Sequence, residues 1–363
     1  MSKSLIVTFH CVPNFGANLQ AFALQKTLEK FLVDVEILDY RPKALTGEYK
    51  LLNTHSLKGF ILSLYNVLPT WLRYKKFKRF QNRYYKLSPS QFKYLAKEFA
   101  IDSDYVFAGS DQIWNPRITG GYDGVYFGDF MAGKNCKKIS YGASIGISSL
   151  TKEENYQLKA LIKKLDDISV RENSAHQIIS ALTDKRVEVV LDPTLLLDIK
   201  EWDNIKINKN HGKYLLLYSI SGHNETYEIA YKVSKMTGLN ILEVSTKNFK
   251  PFSKKHHKIV RNAGPSEFLG LISSAEFVVT DSFHGTVFSL IYKKPFYTIP
   301  NKTKPSRMVE LLSKLGLTDR LISDTNNFNY DPVIQYEKVN ELLNIEKKKS
   351  IDFIKKAMNI NNE

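Results

Sequence analysis

Residues 276–299 read EFVVTDSFHGTVFSLIYKKPFYTI. Phe277-Val278-Val279-Thr280 is a short apolar, β-branched run and reads as a buried strand. Thr286 to Ile291 holds no breaker and reads as a helix, ended by Lys293-Lys294-Pro295; Phe296 to Ile299 then gives the next strand. The unit is strand–loop–helix–strand, with His284-Gly285 at the start of the helix. In α/β folds that corner attracts anions, because backbone N–H groups and the helix dipole point into it. A plain helix cap is the competing role for His284.

The same alternation extends in both directions. In the first half, strands are expected at Ser4–Phe9, Val35–Leu38, 105–108, 138–141, 168–170 and 187–190, with helices at Leu19–Phe31, 152–164 and 173–182. After Asp192-Pro193 a second series begins, with a strand at Tyr214–Ser219, a helix at 226–237 and a strand at 239–244. A Lys/His-rich loop comes next, and Gly264-Pro265-Ser266-Glu267 then opens another helix. Strands alternating with helices predict an α/β fold with parallel sheets, arranged as two Rossmann-like domains facing each other across a cleft. The expected domains are 1–195, carrying a basic aromatic insertion at 50–97, and 196–345, with a basic helix at 346–363.

Length agrees with two cores, since 363 residues exceed one ordinary domain. No apolar run reaches the ~18 residues needed to span a bilayer. The N-terminal stretch MSKSLIVTFHCVPNFG is too short in apolar residues for a signal peptide. Cys11 and Cys136 have neither zinc nor redox spacing, and the expected location is the cytoplasm, with peripheral contact to the inner membrane face as a further expectation. Charge is more informative, because 52 Lys and Arg against 37 Asp and Glu give +15. Between Glu48 and Glu98 there is no acidic residue, while eleven Lys and Arg occur among Trp, Tyr and Phe. A solvated helical hairpin and an anionic membrane surface both account for such a segment. No nucleic-acid motif accompanies it, so nucleic acid is not an expected partner.

In doubly wound folds function collects in loops beyond the carboxyl ends of strands. Those loops hold Asn14, Gly16 and Asn18; Ser110, Asp111 and Trp114; Ser144; Arg171 and Glu172; His284 and Gly285; and, after the last helix, Lys293 and Lys294. Arginine, histidine and two lysines offer several cations to one anionic ligand. Each residue also has a structural role open to it: Asp111 in an Asx turn, Arg171 and Glu172 as an ion pair, Lys293 and Lys294 as complements to a helix end, Trp114 as a core aromatic. His10 and Cys11 are adjacent and so point apart, which argues against a nucleophile dyad. The sequence contains no HExxH, CxxC, GxxxxGK[ST] or GxGxxG, so no metal and no nicotinamide or P-loop nucleotide is expected.

The residues resemble those of the polysaccharide pyruvyl transferase family. The resemblance lies in NFGANLQAFALQKTL (14–28), ILDYRP (37–42), VFAGSDQIWNP (106–116), ISYGASIG (139–146), SVREN (169–173), VLDPTLLL (190–197) and the long block 264–296 that ends in SFHGTVFSLIYKKPF. It implies a fold similar to GT-B glycosyltransferases and transfer of a pyruvyl group from phosphoenolpyruvate to two sugar hydroxyls, giving a cyclic ketal and phosphate. Arg171 and His284 match positions that the family uses to hold or activate phosphoenolpyruvate, and one of Lys293 and Lys294 matches a lysine after the histidine helix.

The chemistry fits that implication. Phosphoenolpyruvate carries a carboxylate and a phosphate, for which Arg171, His284, the Gly285 N–H and the lysines are suited. A histidine can protonate the enol carbon or the departing phosphate. Asp111, on the other side of the expected cleft, is the candidate to orient or deprotonate an acceptor hydroxyl; Asn14, Gly16, Ser110 and Trp114 are the candidate acceptor contacts. The expected partners are therefore phosphoenolpyruvate as co-substrate, a sugar acceptor that is free or lipid-linked, and an anionic membrane surface under the basic aromatic segment. A GT-B glycosyltransferase using a nucleotide sugar and a non-catalytic binding protein of the same fold are the two alternatives.

Overall fold

The structure is a computed structural model that describes residues 3–32, 34–46, 57–93, 102–130, 135–147, 149–245, 257–300 and 306–360, with backbone alone at 57–65 and 306. The Lys/His-rich loop at 246–256 and residues 50–56 and 94–97 of the basic insertion lie outside the described residues. The chain divides into two compact units, one of residues 1–48, 81–197 and 341–363 and the other of 49–80 and 198–340.

The first unit is built on seven strands: β1 (Lys3–Val7), β2 (Asp34–Tyr40), β3 (Leu87–Phe92), β4 (Tyr105–Asp111), β5 (Lys137–Ala143), β6 (Asp167–Val170) and β7 (Val187–Val189). Their order is β3-β2-β1-β4-β5-β6-β7, and every pairing is parallel. A parallel sheet is covered on both faces, so its inner strands become continuous apolar runs. Leu5, Ile6 and Val7 on β1 and Val106, Phe107 and Ala108 on β4 accordingly have no exposed surface. The helix Phe15–Leu28 starts four residues before the sequence suggested. Asn14 caps it by accepting from Ala17 N (3.1 Å), and every residue but Lys26 is buried, which removes the amphipathic period that would mark its start.

The second unit holds β8 (Tyr214–Tyr218), β9 (Asn240–Val244), β10 (Lys258–Val260), β11 (Phe277–Thr280) and β12 (Phe296–Thr298), ordered β10-β9-β8-β11-β12 and again all parallel. Each sheet is thus the α/β arrangement expected of a Rossmann-like unit. In each, the chain winds outward from a central strand and then crosses to its other side. Those switch points fall between β1 and β4 and between β8 and β11, and ligands of such sheets bind beyond the strand ends there.

Two segments behave differently from their sequence reading. The expected helical hairpin of the basic insertion is one helix, Leu57–Tyr84, in which Pro69 removes a single backbone donor without ending it. The C-terminal basic helix, Tyr336–Ala357, is no separate appendage. Its residues from 341 onward group with the first unit, where Phe353 and Ile354 are buried, Ser350 Oγ accepts from Leu191 N (2.9 Å), and Tyr105 Oη donates to the Met358 carbonyl (3.2 Å).

Candidate functional site

At the switch point of the second unit, β11 ends at Thr280 and the chain turns at once into the helix Phe283–Ile291. The turn is tied by short polar side chains. Thr280 Oγ1 donates to the Tyr218 carbonyl (2.7 Å) and accepts from Ser282 N (3.0 Å). Ser282, in extended conformation, caps the helix by accepting from Gly285 N (3.3 Å). Gly285 is required by the closeness of helix and strand, because a Cβ there would lie 2.3 Å from Thr280 Oγ1. The helix therefore begins three residues earlier than expected, and His284 is its second residue.

His284 is 8% exposed, and its ring meets the Phe283 ring edge-on with centroids 5.2 Å apart. The guanidinium of Arg307 lies over that same Phe283 ring at 5.6 Å. Arg307 stands at the start of the helix Ser306–Lys314, which follows β12. It is a cation at this corner that sequence reasoning missed. The signal was positional, since β12 neighbours β11 and the loops beyond adjacent strands lie side by side. Asp281 faces the other neighbour, β8. Its carboxylate accepts from Ser219 Oγ (2.6 Å), Ile220 N (2.6 Å), Thr226 Oγ1 (3.3 Å) and Ser221 Oγ, so its charge is spent on holding the β8 loop.

Lys293 and Lys294 do not belong to this corner. The helix has nine residues and rises about 13 Å along its length, so His284 lies at the carboxyl ends of β11 and β12 and the lysines at their amino ends. Lys293 is exposed in a left-handed turn (φ 51°). Lys294 is half-buried; burial lowers its pKa and Lys206 adds to this, while Glu276, which precedes β11, pulls the other way.

In the first unit the strand ends converge on Arg171, whose side chain is 2% exposed. Its Nη1 donates to Asp192 Oδ2 at 2.5 Å, its Nη2 lies 3.5 Å from Asp111 Oδ1, and its Nε lies 3.9 Å from Glu172 Oε2. Burial opposes the guanidinium charge, but Asp192, Asp111 and Glu172 together keep its pKa above the ordinary arginine value. Arg171 thereby joins β4, β6 and the segment after β7. Glu172 also accepts from Ser144 Oγ (2.7 Å).

The acceptor-side residues divide in the same way. Asp111 has φ 75°, accepts from Gln112 N (2.9 Å) and keeps a partly open side chain, so it combines the turn and ion-pair roles. Asn14 is exposed at the start of its helix and Gly16 is buried in the first turn. Ser110 is sealed: its N–H donates to Gln20 Oε1 (3.1 Å) and its hydroxyl to the Gly142 carbonyl (2.9 Å), which leaves no face for a sugar. Trp114 is likewise a core residue. It has no exposed surface, donates to the Tyr126 carbonyl (2.9 Å) and stacks on Phe127 at 5.0 Å, so it is no sugar platform.

One cluster was absent from the sequence reading. His10, fully buried after β1, reaches Asp39 Oδ1 through Nε2 (3.0 Å), and Arg41 Nε donates to the same oxygen (2.6 Å). Although burial pushes the other way, these two partners hold the Asp39 carboxyl below its ordinary pKa. Burial pushes the thiol of neighbouring Cys11 up to about 11, which disfavours its thiolate at neutral pH.

No curated protein matches the chain. Among solved structures it is similar to the UDP-GlcNAc 2-epimerase of Methanocaldococcus jannaschii (14% identity, 99% of this chain and 100% of that one, TM-score 0.46). It is similar also to a putative UDP-N-acetylglucosamine 2-epimerase of Listeria monocytogenes (12%, 98% and 91%, 0.49) and to heptosyltransferase WaaC of E. coli (10%, 84% and 90%, 0.39). The family model for polysaccharide pyruvyl transferase matches residues 14–303, which takes in both switch points. The chain is a member of the polysaccharide pyruvyl transferase family, and thus an enzyme of the pyruvyltransferase class.

Proposed function

We propose that the chain transfers the pyruvyl group of phosphoenolpyruvate to two hydroxyls of a sugar in a surface polysaccharide or its lipid-linked precursor, as a cyclic ketal. The observation that carries this reading is the Thr280–Thr286 turn, which sets a histidine in the first turn of a helix at a switch point, with Arg307 over the adjoining ring. A helix N-terminus and an arginine suit a phosphate or carboxylate. His284 gives a proton to the methylene carbon of the enol, which leaves an oxocarbenium-like centre on the neighbouring carbon. One sugar hydroxyl adds there and loses its proton. The C–O bond to phosphate then breaks, and the second hydroxyl closes the ketal, its proton leaving with the phosphate. Asp111 is the proposed group for orienting or deprotonating an acceptor hydroxyl. The residues of this scheme need neither metal nor cofactor.

A lipid-linked acceptor suits the exposed face of the helix Leu57–Tyr84. Leu68 and Trp71 are exposed there (62% and 44%), and Lys75, Lys78, Arg79 and Arg83 continue the same exposed face. Apolar and aromatic groups beside lysine and arginine suit an anionic bilayer surface. Among the described residues no helix is long and apolar enough to cross a membrane. Flotation with anionic vesicles at low salt tests this contact, and absence of binding removes it.

The donor is tested by thermal stabilisation, since a ligand of the native state raises its melting temperature. Phosphoenolpyruvate should shift the wild type and fail to shift Arg307→Ala, with phosphate and UDP-sugars as controls. A shift with UDP-sugar alone would overturn the donor assignment in favour of glycosyl transfer.

A further inference from the structure

The second unit has an open pocket of about 300 Å³ between Pro69, Lys209, His211, Val260, Arg261 and Asn262. It lies beyond the edge strand β10, which is three strands away from β11. At the usual strand spacing that is about 14 Å from the His284 corner, farther than the phosphate and carboxylate of one phosphoenolpyruvate can reach.

The wall of this pocket is basic. Lys209 is exposed at its rim, Lys258 Nζ lies 3.4 Å from His211 Nδ1, and Arg261 Nη1 donates to Asn66 Oδ1 (3.1 Å) on the basic helix. An adjoining smaller cavity brings in Lys76 and Glu267. Glu267 is engaged by Lys76 (2.8 Å) and by Gly264 N (3.1 Å), while exposed Lys209 lines both cavities and exposed Lys258 adjoins them through His211. Burial lowers the His211 pKa, and Lys258 and Lys209 lower it further, as expected where neighbouring cations face one another. Like charges converging on a concave surface are costly unless an anion joins them. The rim next to Pro69 carries exposed Leu68 and Trp71, which provide apolar surface for whatever is attached to that anion.

We propose that this pocket binds the phosphate or diphosphate group of a second ligand, separate from any anion held at the His284 corner. The lysines supply point contacts suited to phosphate, with Arg261 as a further cation of the wall. The headgroup of a lipid and a soluble phosphate ester share this chemistry. The proposal does not depend on the donor reading.

The test is calorimetric titration of the full chain with inorganic diphosphate, at low and high salt. Saturable, salt-sensitive binding is expected, weakened about tenfold or more by Lys209→Glu/Lys258→Glu and retained in His284→Ala. Both lysines are exposed, so the double variant should keep the wild-type melting temperature. Unchanged diphosphate affinity in that folded double variant overturns the proposal, as does absence of binding to both diphosphate and phosphatidic-acid vesicles. Vesicle capture that diphosphate competes away assigns the pocket to a lipid headgroup. Diphosphate binding without vesicle capture assigns it to a soluble ligand.

Discussion

Arg171 Nη1 and Asp192 Oδ2 are 2.5 Å apart, with side chains 2% and 0% exposed, across 21 residues of sequence. A pair so buried has little net worth against an apolar pair, yet losing one member is severe because the other stays charged and dry. Arg171→Met should therefore destabilise the protein by about 3–5 kcal/mol in urea titration. Adding Asp192→Asn should recover part of the loss. A variant that keeps full stability while losing phosphoenolpyruvate affinity would make Arg171 a donor contact.

His284 carries the proposed proton. His284→Ala should lower the turnover number by about 10²–10⁴-fold, with a circular dichroism spectrum and melting temperature close to wild type. Near-normal turnover in a folded variant would remove the histidine from the chemistry.

The turn that holds His284 can be loosened without touching it. Ser282→Ala deletes the helix cap and should cost about 1 kcal/mol of stability. It should also lower turnover, because the first turn of the helix is no longer fixed. Equal loss of stability with unchanged turnover would separate the cap from catalysis.

Gly285→Ala is a steric test. The added methyl would meet Thr280 Oγ1 at 2.3 Å, and such overpacking costs about 1–3 kcal/mol. Measured in denaturant, a neutral outcome would mean that strand and helix can part more easily than their contacts suggest.

Acid should loosen the first unit through Asp39. Its folded pKa lies below the ordinary 3.8, so its contribution to stability is complete above that value and is lost as pH falls through the lower one. Melting temperatures followed downward from about pH 4, near the ordinary carboxyl pKa, should fall less steeply in Asp39→Asn than in wild type.

How far the sequence foretold these relations depends on the distance each one bridges. Phe277–Thr280 was legible because three apolar residues and a β-branched threonine in a row read as a buried strand, and Pro295 limits the length of the next helix. The helix start at Phe283 was not, because Gly285 weakens the local propensity and its reason, Thr280, appears only when helix and strand touch. Arg171 could be placed at a strand end. Its partners Asp192 and Asp111, 21 and 60 residues away, depend on strand order. Lys293 and Lys294 misled by being near His284 in number, whereas a helix turns short separation in sequence into the full height of a sheet. Trp114 misled by lying in a loop, since the Tyr126 carbonyl and the Phe127 ring that bury it come from a later segment.

The bond from Leu191 N to Ser350 Oγ spans 159 residues and brings the last helix back to the first unit. During synthesis the seven strands of that unit leave the ribosome long before Phe353 and Ile354 can cover Tyr141 and its surroundings. The second unit takes in no residue beyond 340. The order of birth is thus the reverse of the order of completion: the half made second can finish first, and the half made first must wait for the final turns.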